Sequence, residues 1–221
     1  MDLTERARVH AALGDPIRLG FMTELELGDR TFQELAAAAA APGNLVAHHL
    51  EVLEQAGLIE RRVSEGDRRR RYISLKPESL SGLLAARSLL ARSVLFVCTN
   101  NSARSQYAAA SWRRKTGRDA ESAGTHPAES VDPRAIRVAM ERGLDLAKCQ
   151  PKGLESLSSS FDLVVSVCDR AREFRSPLSV TSLHWSVPDP LKGGTLKAFR
   201  AAFADIDRRI DRLATSTEKG S

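Results

Sequence analysis

The sequence predicts a mostly helical domain followed by an α/β domain with a parallel sheet, and three observations support this fold class. Residues 4–57 carry apolar residues at helical spacing. Residues 58–75 alternate in a strand-like way around Glu65-Gly66-Asp67, which is typical of a hairpin. From Ser93 onward, apolar runs alternate with helical patterns, as in layered α/β domains. The predicted domains are residues 1–92 and 93–221.

The first domain has the element order that is typical of a winged helix-turn-helix. Asp15-Pro16 predicts a helix start, because Asp can cap free amides and Pro tolerates the first helical position. An alanine run at 36–41 extends the helical pattern. Asn44 is expected to cap the next helix, and Gly57 is expected to end it ahead of the hairpin. A last helix is predicted over 77–92.

The second domain begins with VLFVC at 94–98, a fully apolar run of the kind that forms buried parallel strands. Two further strands are predicted at 161–168 and 180–187, and helices at 104–116 and 196–214. This alternation predicts a parallel sheet covered by helices.

The composition is that of an ordinary globular protein. The chain has 221 residues, of which 42% are hydrophobic and 28% charged, and its formal net charge of +5 is compatible with a polyanionic partner. Three cysteines make a poor disulfide framework, which favours a reducing compartment. Because no signal core or bilayer-spanning stretch is evident, we expect a cytoplasmic protein that does not contact a membrane.

The segment CTNNSARS at 98–105 is the candidate reactive loop. Backbone amides where a strand ends and a helix begins converge on one point, which favours an anion and the nucleophilic thiolate of Cys98. Arg104 can hold two oxygens of a tetrahedral oxyanion, and Ser105 can donate a hydrogen bond to the sulfur. The amides expected to surround the anion belong to Thr99, Asn100, Asn101, Ser102 and Ala103.

Asp189 is the candidate proton donor. Phosphoryl or arsenyl transfer needs an acid for the leaving oxygen. Proline on both sides of Asp189 stiffens a loop just after a predicted strand. Taken alone, this segment is more typical of a plain proline-rich turn, but beside the cysteine loop it favours a positioned acid.

Four segments occur in the order of the low-molecular-weight protein tyrosine phosphatase fold, and within that fold they resemble the arsenate reductases. These segments are CTNNSARSQYAAASW, ESAGTHPAESVDPRAI, FDLVVSVC and HWSVPDP, within about residues 93–214. Arg-Ser-Gln at 104–106 is the arsenate reductase form. The resemblance implies that Cys98 is the nucleophile, Arg104 the oxyanion clamp, Asp189 the general acid and Asn101 a brace of the loop. It also implies that Cys168 attacks the Cys98–arsenic adduct and releases arsenite.

Two departures from these reductases concern the reductant and the cation. Arg175 stands where thioredoxin-coupled relatives carry a further cysteine, so two routes stay open. An external protein such as thioredoxin could reduce a Cys98–Cys168 disulfide directly, or a small thiol or glutaredoxin-like protein could resolve the Cys98 adduct. Ala109 replaces a cation-binding Glu of some reductases, and we expect neither a bound cofactor nor a metal.

The first domain resembles ArsR/SmtB repressors over about residues 5–80, through ALGDPIRLGFMTEL, FQELA, AHHLEVLEQAGLIERR and the basic hairpin. The resemblance implies a homodimer that binds a double-stranded DNA operator. The residues implied to face the major groove are Asn44, Val46, His48 and His49, and those implied to reach phosphates or a minor groove are Arg68, Arg69, Arg70 and Arg71. For the two histidines, one packed and one exposed side chain is an equally supported alternative. The segment 31–40 contains no cysteine, so the usual metalloid sensor is not expected there.

The sequence thus predicts a DNA-binding regulator fused to an arsenate reductase. One alternative is a phosphatase that acts on phosphotyrosine or a small phosphate ester and does not need Cys168. Another is a repressor whose cysteine loop binds an oxyanion, or senses redox state, without turnover.

Overall fold

In a computed structural model of the chain, residues 3–76, 91–157, 160–174 and 181–216 are described. The described residues fall into two compact units, with residues 3–64 and 68–76 in the first and residues 65–67, 91–157, 160–174 and 181–216 in the second. Nearly all of the predicted helix 77–92 lies outside the described residues, as do Arg175 and the end of the chain. Among the helices that are described, none is long and apolar enough to cross a membrane.

In the residues that the structure describes, the first unit has four helices and a small antiparallel sheet with the strand order β1-β3-β2. The helices are α1 (Leu3–Leu13), α2 (Pro16–Leu25), α3 (Phe32–Ala39) and α4 (Gly43–Gln55), and the strands are β1 (Arg30–Thr31), β2 (Ile59–Val63) and β3 (Arg71–Leu75). The predicted hairpin is β2–β3, with Glu65-Gly66-Asp67 in its connection. The strand β1 was not predicted, because two residues carry no periodicity.

Side-chain caps set two of the helix starts in this unit. Asp15 accepts the Arg18 amide ahead of Pro16, as the sequence predicted. Thr31 and Glu34 form a reciprocal capping box at the start of α3. The prediction that Asn44 caps α4 is wrong: the helix begins at Gly43, its N-cap is Pro42, and no side chain caps it.

The core of the first unit joins all four helices to the hairpin. Its fully buried side chains include Met22 of α2, Leu35 of α3, and Leu50 and Leu53 of α4, which pack with residues of β2 and β3. As a result, one face of α4 packs in the core and its opposite face is exposed.

The second unit is built on a four-stranded, all-parallel sheet with the order β5-β4-β6-β7, which confirms the predicted α/β fold class. The strands are β4 (Ser93–Cys98), β5 (Asp119–Gly124), β6 (Leu163–Ser166) and β7 (Ser182–His184). The helices are α5 (Arg104–Thr116), α6 (Pro133–Glu141), α7 (Asp169–Glu173), α8 (Pro190–Gly193) and α9 (Leu196–Thr215). The sequence did not predict β5, whose residues DAESAG have low strand propensity and are recruited by pairing with β4.

Helices α5 and α9 pack against each other through aromatic and polar contacts. Tyr107 of α5 stacks on Phe203 of α9 with ring centroids 3.8 Å apart. Asp207 of α9 accepts hydrogen bonds of 2.7 Å from both Tyr107 and Ser111. Burial and the bond to Asp207 raise the pKa of the Tyr107 phenol above its usual range. These contacts fix α5, and with it the loop that precedes the helix.

Candidate functional site

The two strands at the centre of the second sheet end side by side, and each is followed by a cysteine. Strand β4 pairs with β6 in parallel, with Val97 opposite Ser166. Cys98 is the last residue of β4, and Cys168 lies two residues beyond the end of β6. Because β4 and β6 run in the same direction, both thiols lie at the same edge of the sheet, and because neighbouring strands are about 4.8 Å apart, they lie close to each other. Both cysteines are buried and neither is in a disulfide.

The backbone carbonyls of the cysteine loop (residues 98–103) are held from one side. The carbonyls of Cys98, Thr99, Asn100 and Ser102 accept hydrogen bonds of 2.9–3.1 Å from the amides of Thr125, His126, Ala128 and Asp132. All peptides in the described chain are trans, so each N–H points away from the carbonyl of the same peptide unit. The amides that follow these carbonyls therefore point away from residues 125–132, toward the inside of the loop.

Two residues make this tight loop possible. Asn101 has a left-handed backbone with φ of 49°, a conformation that Asn tolerates better than most residues. Gly124, at the end of β5, lies so close that a β-carbon there would be 2.7 Å from the carbonyl oxygen of Thr99. The segment ESAG had been recognised in the sequence, but its glycine had been given no role.

The Cys98 sulfur lies within hydrogen-bond reach of two groups. The Asn101 amide donates to it at 3.2 Å, and the Ser105 hydroxyl lies 3.0 Å from it. The Asn101 side chain donates from Nδ2 to Ser105 Oγ at 2.8 Å. Both groups are able to donate a hydrogen bond to a thiolate sulfur. The structure thus places Ser105 and Asn101 where the sequence had expected them.

Arg104 links the cysteine loop to the segment that contains Asp189. Its Nη1 donates to the carbonyl of Val187 at 2.8 Å, and its Nη2 lies 3.2 Å from Oδ1 of Asp189. Burial disfavours the charged guanidinium, but the nearby sulfurs of Cys168 and Cys98 and the Asp189 carboxylate outweigh it and raise the pKa of Arg104. A single cation is therefore shared by both thiols and the candidate acid.

Besides its ion pair with Arg104, Asp189 is fixed in place by local contacts of its side chain and backbone. It is the N-cap of the short helix α8, and its Oδ1 accepts the Leu191 amide at 3.2 Å. The prolines on either side restrict its backbone. Because the same oxygen also faces Arg104, an oxyanion that binds Arg104 competes with Asp189 for the guanidinium.

The thiol of Cys168 is buried, unlike that of a surface cysteine. Burial raises its pKa, and the positive charge of Arg104 only partly offsets that effect. Its sulfur lies 3.4 Å from Oγ1 of Thr99, a residue that the sequence had assigned only a backbone role.

A buried polar chain next to Cys168 was missed by the sequence analysis. His184 of β7 lies 2.9 Å from Ser166 Oγ through Nδ1 and 3.2 Å from Asp169 Oδ1 through Nε2. Burial opposes ionisation of Asp169, but the hydrogen bond from His184 and other donors outweigh it and lower the pKa of Asp169. The motif HWSVPDP contained this histidine, but only the three-dimensional pairing of β6 and β7 gives it a partner.

The surface expected to bind DNA is only partly as predicted. Asn44 and His48 of α4 are exposed, as are the hairpin arginines Arg68, Arg69, Arg70 and Arg71. The assignments of Val46 and His49 to the major groove are wrong. Val46 is fully buried in the core, and His49 is buried with Nδ1 3.3 Å from Arg18 Nη1 and 3.7 Å from Asp15 Oδ1.

Among the described residues, no group of three or more His, Cys, Asp or Glu side chains is arranged to hold a metal ion. The third cysteine, Cys149, is half-buried in the segment after α6.

The comparisons with known proteins agree with this architecture. Residues 93–221 match the family described as low molecular weight phosphotyrosine protein phosphatase, and residues 13–62 match a helix-turn-helix domain. An arsenate reductase of Brevibacillus brevis is 31% identical over 132 residues, which are 58% of this chain and 97% of that protein. An arsenate reductase of Halalkalibacterium halodurans is 32% identical over 134 residues, 58% of this chain and 96% of that protein. The solved arsenate reductase of Archaeoglobus fulgidus has 34% identity and a TM-score of 0.51, and the match covers 55% of this chain and 98% of that chain.

The raised pKa of Cys168 predicts slow alkylation at neutral pH. In a Cys98→Ser, Cys149→Ser variant, whose remaining thiol is Cys168, iodoacetamide should react appreciably only above the pH at which an ordinary cysteine ionises. A raised pKa keeps the thiol protonated to higher pH, so the rate profile shifts upward. The alkylation rate is measured against pH by mass spectrometry, with an unstructured cysteine peptide as the control. A midpoint at or below that of the peptide would contradict the assignment.

Proposed function

Because the chain belongs to the low molecular weight phosphotyrosine protein phosphatase family and has arsenate reductases among its relatives, we propose that its second unit reduces arsenate to arsenite. The observation that carries the proposal is the pair of buried thiols at adjacent strand ends, with Arg104 interacting electrostatically with both. Hydrolysis of a phosphate ester uses one thiol. Reduction of arsenate needs two electrons, which two thiols supply when they form a disulfide.

The first step forms a bond between Cys98 Sγ and arsenic. The thiolate attacks arsenate while Arg104 and the loop amides hold the remaining oxygens. One arsenate oxygen leaves as water, with a proton from Asp189. The arsenate displaces the Asp189 carboxylate from the guanidinium. No longer paired with a cation, the carboxylate takes up a proton from solvent, and this is the proton that it gives to the leaving oxygen.

The second step transfers two electrons to arsenic. The thiolate of Cys168 attacks Cys98 Sγ, a sulfur–sulfur bond forms, and the sulfur–arsenic bond breaks with its electron pair going to arsenic. Arsenic passes from the +5 to the +3 state and leaves as arsenite after protonation by water. The two cysteines end as a disulfide, which an external thiol must reduce.

The proposed reductant is an external thiol system: thioredoxin, a glutaredoxin-like protein or a low-molecular-weight thiol. A reducing cytoplasm would supply it and would keep the three cysteines free.

Phosphate ester hydrolysis is the second candidate activity. The arrangement of Cys98, Arg104 and Asp189 suits a phosphate as well as an arsenate, since both are tetrahedral oxyanions. Only the use of Cys168 separates the two reactions. A third possibility, an oxyanion- or redox-sensing repressor, predicts binding of the anion without turnover.

For the first unit we propose binding of double-stranded DNA as a homodimer. The helix-turn-helix match, the exposed residues Asn44 and His48 on α4 and the four exposed hairpin arginines support the proposal. A two-fold dimer would fit a palindromic operator.

Turnover with cysteine variants tests the reductase proposal. Purified protein is given arsenate with thioredoxin, a glutaredoxin-type protein or a small thiol, and in parallel an aryl phosphate. Cys98→Ser should abolish both reactions, whereas Cys168→Ser should abolish arsenite production and spare phosphate release. Asp189→Asn should slow turnover by roughly 10²–10⁴-fold, the usual contribution of a positioned acid. Cys149→Ser is the matched control and should keep full activity.

Arsenite production that persists in Cys168→Ser would contradict the two-thiol mechanism. Phosphate release without arsenite production in the unmodified protein would make the chain a phosphatase. Anion binding with no turnover in either assay would support the sensor.

The salt dependence of DNA binding tests the role of the hairpin arginines. Arg68→Ala and Arg71→Ala should each weaken binding to a duplex of any sequence and reduce the slope of log K against log[salt] by about one. Fluorescence anisotropy between low and moderate salt measures the slope. Lys197→Ala removes an exposed cation of α9 and serves as the control. Equal slopes for the arginine variants and the control would contradict a phosphate contact.

A further inference from the structure

Gln106 lies in the first turn of α5, directly after the residues that were assigned to the reaction. It is buried, with 6% of its surface exposed. Its Nε2 donates to Asn101 Oδ1 at 3.0 Å and to the carbonyl of Gln150 at 3.1 Å. Both partners are acceptors, so the amide group uses both of its hydrogens and has only one favourable orientation.

The orientation of Gln106 fixes that of Asn101. Asn101 Oδ1 accepts a second hydrogen bond, from the Lys152 amide at 2.9 Å. With two donors on the oxygen, the nitrogen end of the Asn101 side chain must face Ser105, where Nδ2 donates to Oγ at 2.8 Å.

The direction of the next hydrogen bond follows from the count of hydrogens. The Ser105 hydroxyl has one hydrogen, and it already accepts from Asn101. Its hydrogen is therefore available to the Cys98 sulfur, 3.0 Å away, and a thiolate there can only accept. The chain of donors thus runs from Gln106 through Asn101 and Ser105 to Cys98.

We propose that Gln106 is a positioning residue that directs the Ser105 hydroxyl at the Cys98 sulfur and so stabilises the thiolate. The proposal deepens the proposed function, on which it rests only for the use of that thiolate as a nucleophile. Gln106 does not touch the reacting atoms. It ties the left-handed Asn101 to the backbone of Gln150, outside the loop, and an acidic residue in its place would set two acceptors against each other.

Alkylation of a single thiol tests the proposal without any arsenate. In a Cys149→Ser, Cys168→Ser background only Cys98 remains, and its reaction with iodoacetamide is followed against pH. Gln106→Glu should move the midpoint of this profile upward by about one pH unit, which is about tenfold slower alkylation below the midpoint. Gln106→Met, of similar length and without a buried charge, should move it in the same direction. Gln33→Glu makes the same chemical change at an exposed residue of α3 and should leave the midpoint unchanged.

A double-mutant comparison separates positioning from general loosening. If Gln106 acts through the Ser105 hydroxyl, adding Gln106→Met to Ser105→Ala should change the alkylation rate by less than about twofold. An equally large effect with and without Ser105 would overturn the proposal, as would an unchanged midpoint in Gln106→Met. A shifted midpoint in a protein that does not reduce arsenate would leave Gln106 as a positioning residue and refute the reductase. An unchanged midpoint in a protein that does reduce arsenate would refute only the role of Gln106.

Discussion

The hydrogen bonds that residues 125–132 donate to the carbonyls of the cysteine loop are the constraint on which the rest of the site depends. They turn the carbonyl side of the loop outward, and trans peptides then turn the amide side inward. Helix α5 begins at Arg104 without a side-chain cap, so its first-turn amides add to the same field. Gly124 permits the approach, because a side chain there would collide with the loop. An anion site can therefore form from backbone alone, before any charged side chain contributes.

The arrangement of the second thiol follows from the sheet rather than from the loop. Because β4 and β6 are adjacent and parallel, the residues that follow them meet at one edge. Arg104 is paired with Asp189 and interacts electrostatically with both thiols, so one buried cation is close enough to affect all three groups. Burial raises the pKa of Cys168, and the positive charge of Arg104 partly offsets that rise.

The sequence predicted well the part of the candidate site that lies within the cysteine loop and the start of α5. Cys98, Arg104 and Ser105 share one strand–loop–helix junction, and their spacing alone places them around one point. The roles of His184 and Gly124 could not be predicted, because they depend on which strands become neighbours. The assignment of Val46 to a groove failed for a different reason. Val46 lies on the apolar face of α4, which packs in the core of the first unit. The helical spacing of the apolar residues in α4 predicts this burial, and it should have outweighed the positional resemblance.

The most direct test of the central claim, that the two buried thiols act as a pair on one oxyanion, is a single turnover without reductant. Fully reduced protein is mixed with one equivalent of arsenate, quenched with an alkylating agent, and mapped by peptide mass spectrometry while arsenite is quantified. The account predicts a Cys98–Cys168 disulfide and arsenite in equal amounts, with Cys149 alkylated as a free thiol. Arsenite formed without that disulfide, or a disulfide that includes Cys149, would contradict it.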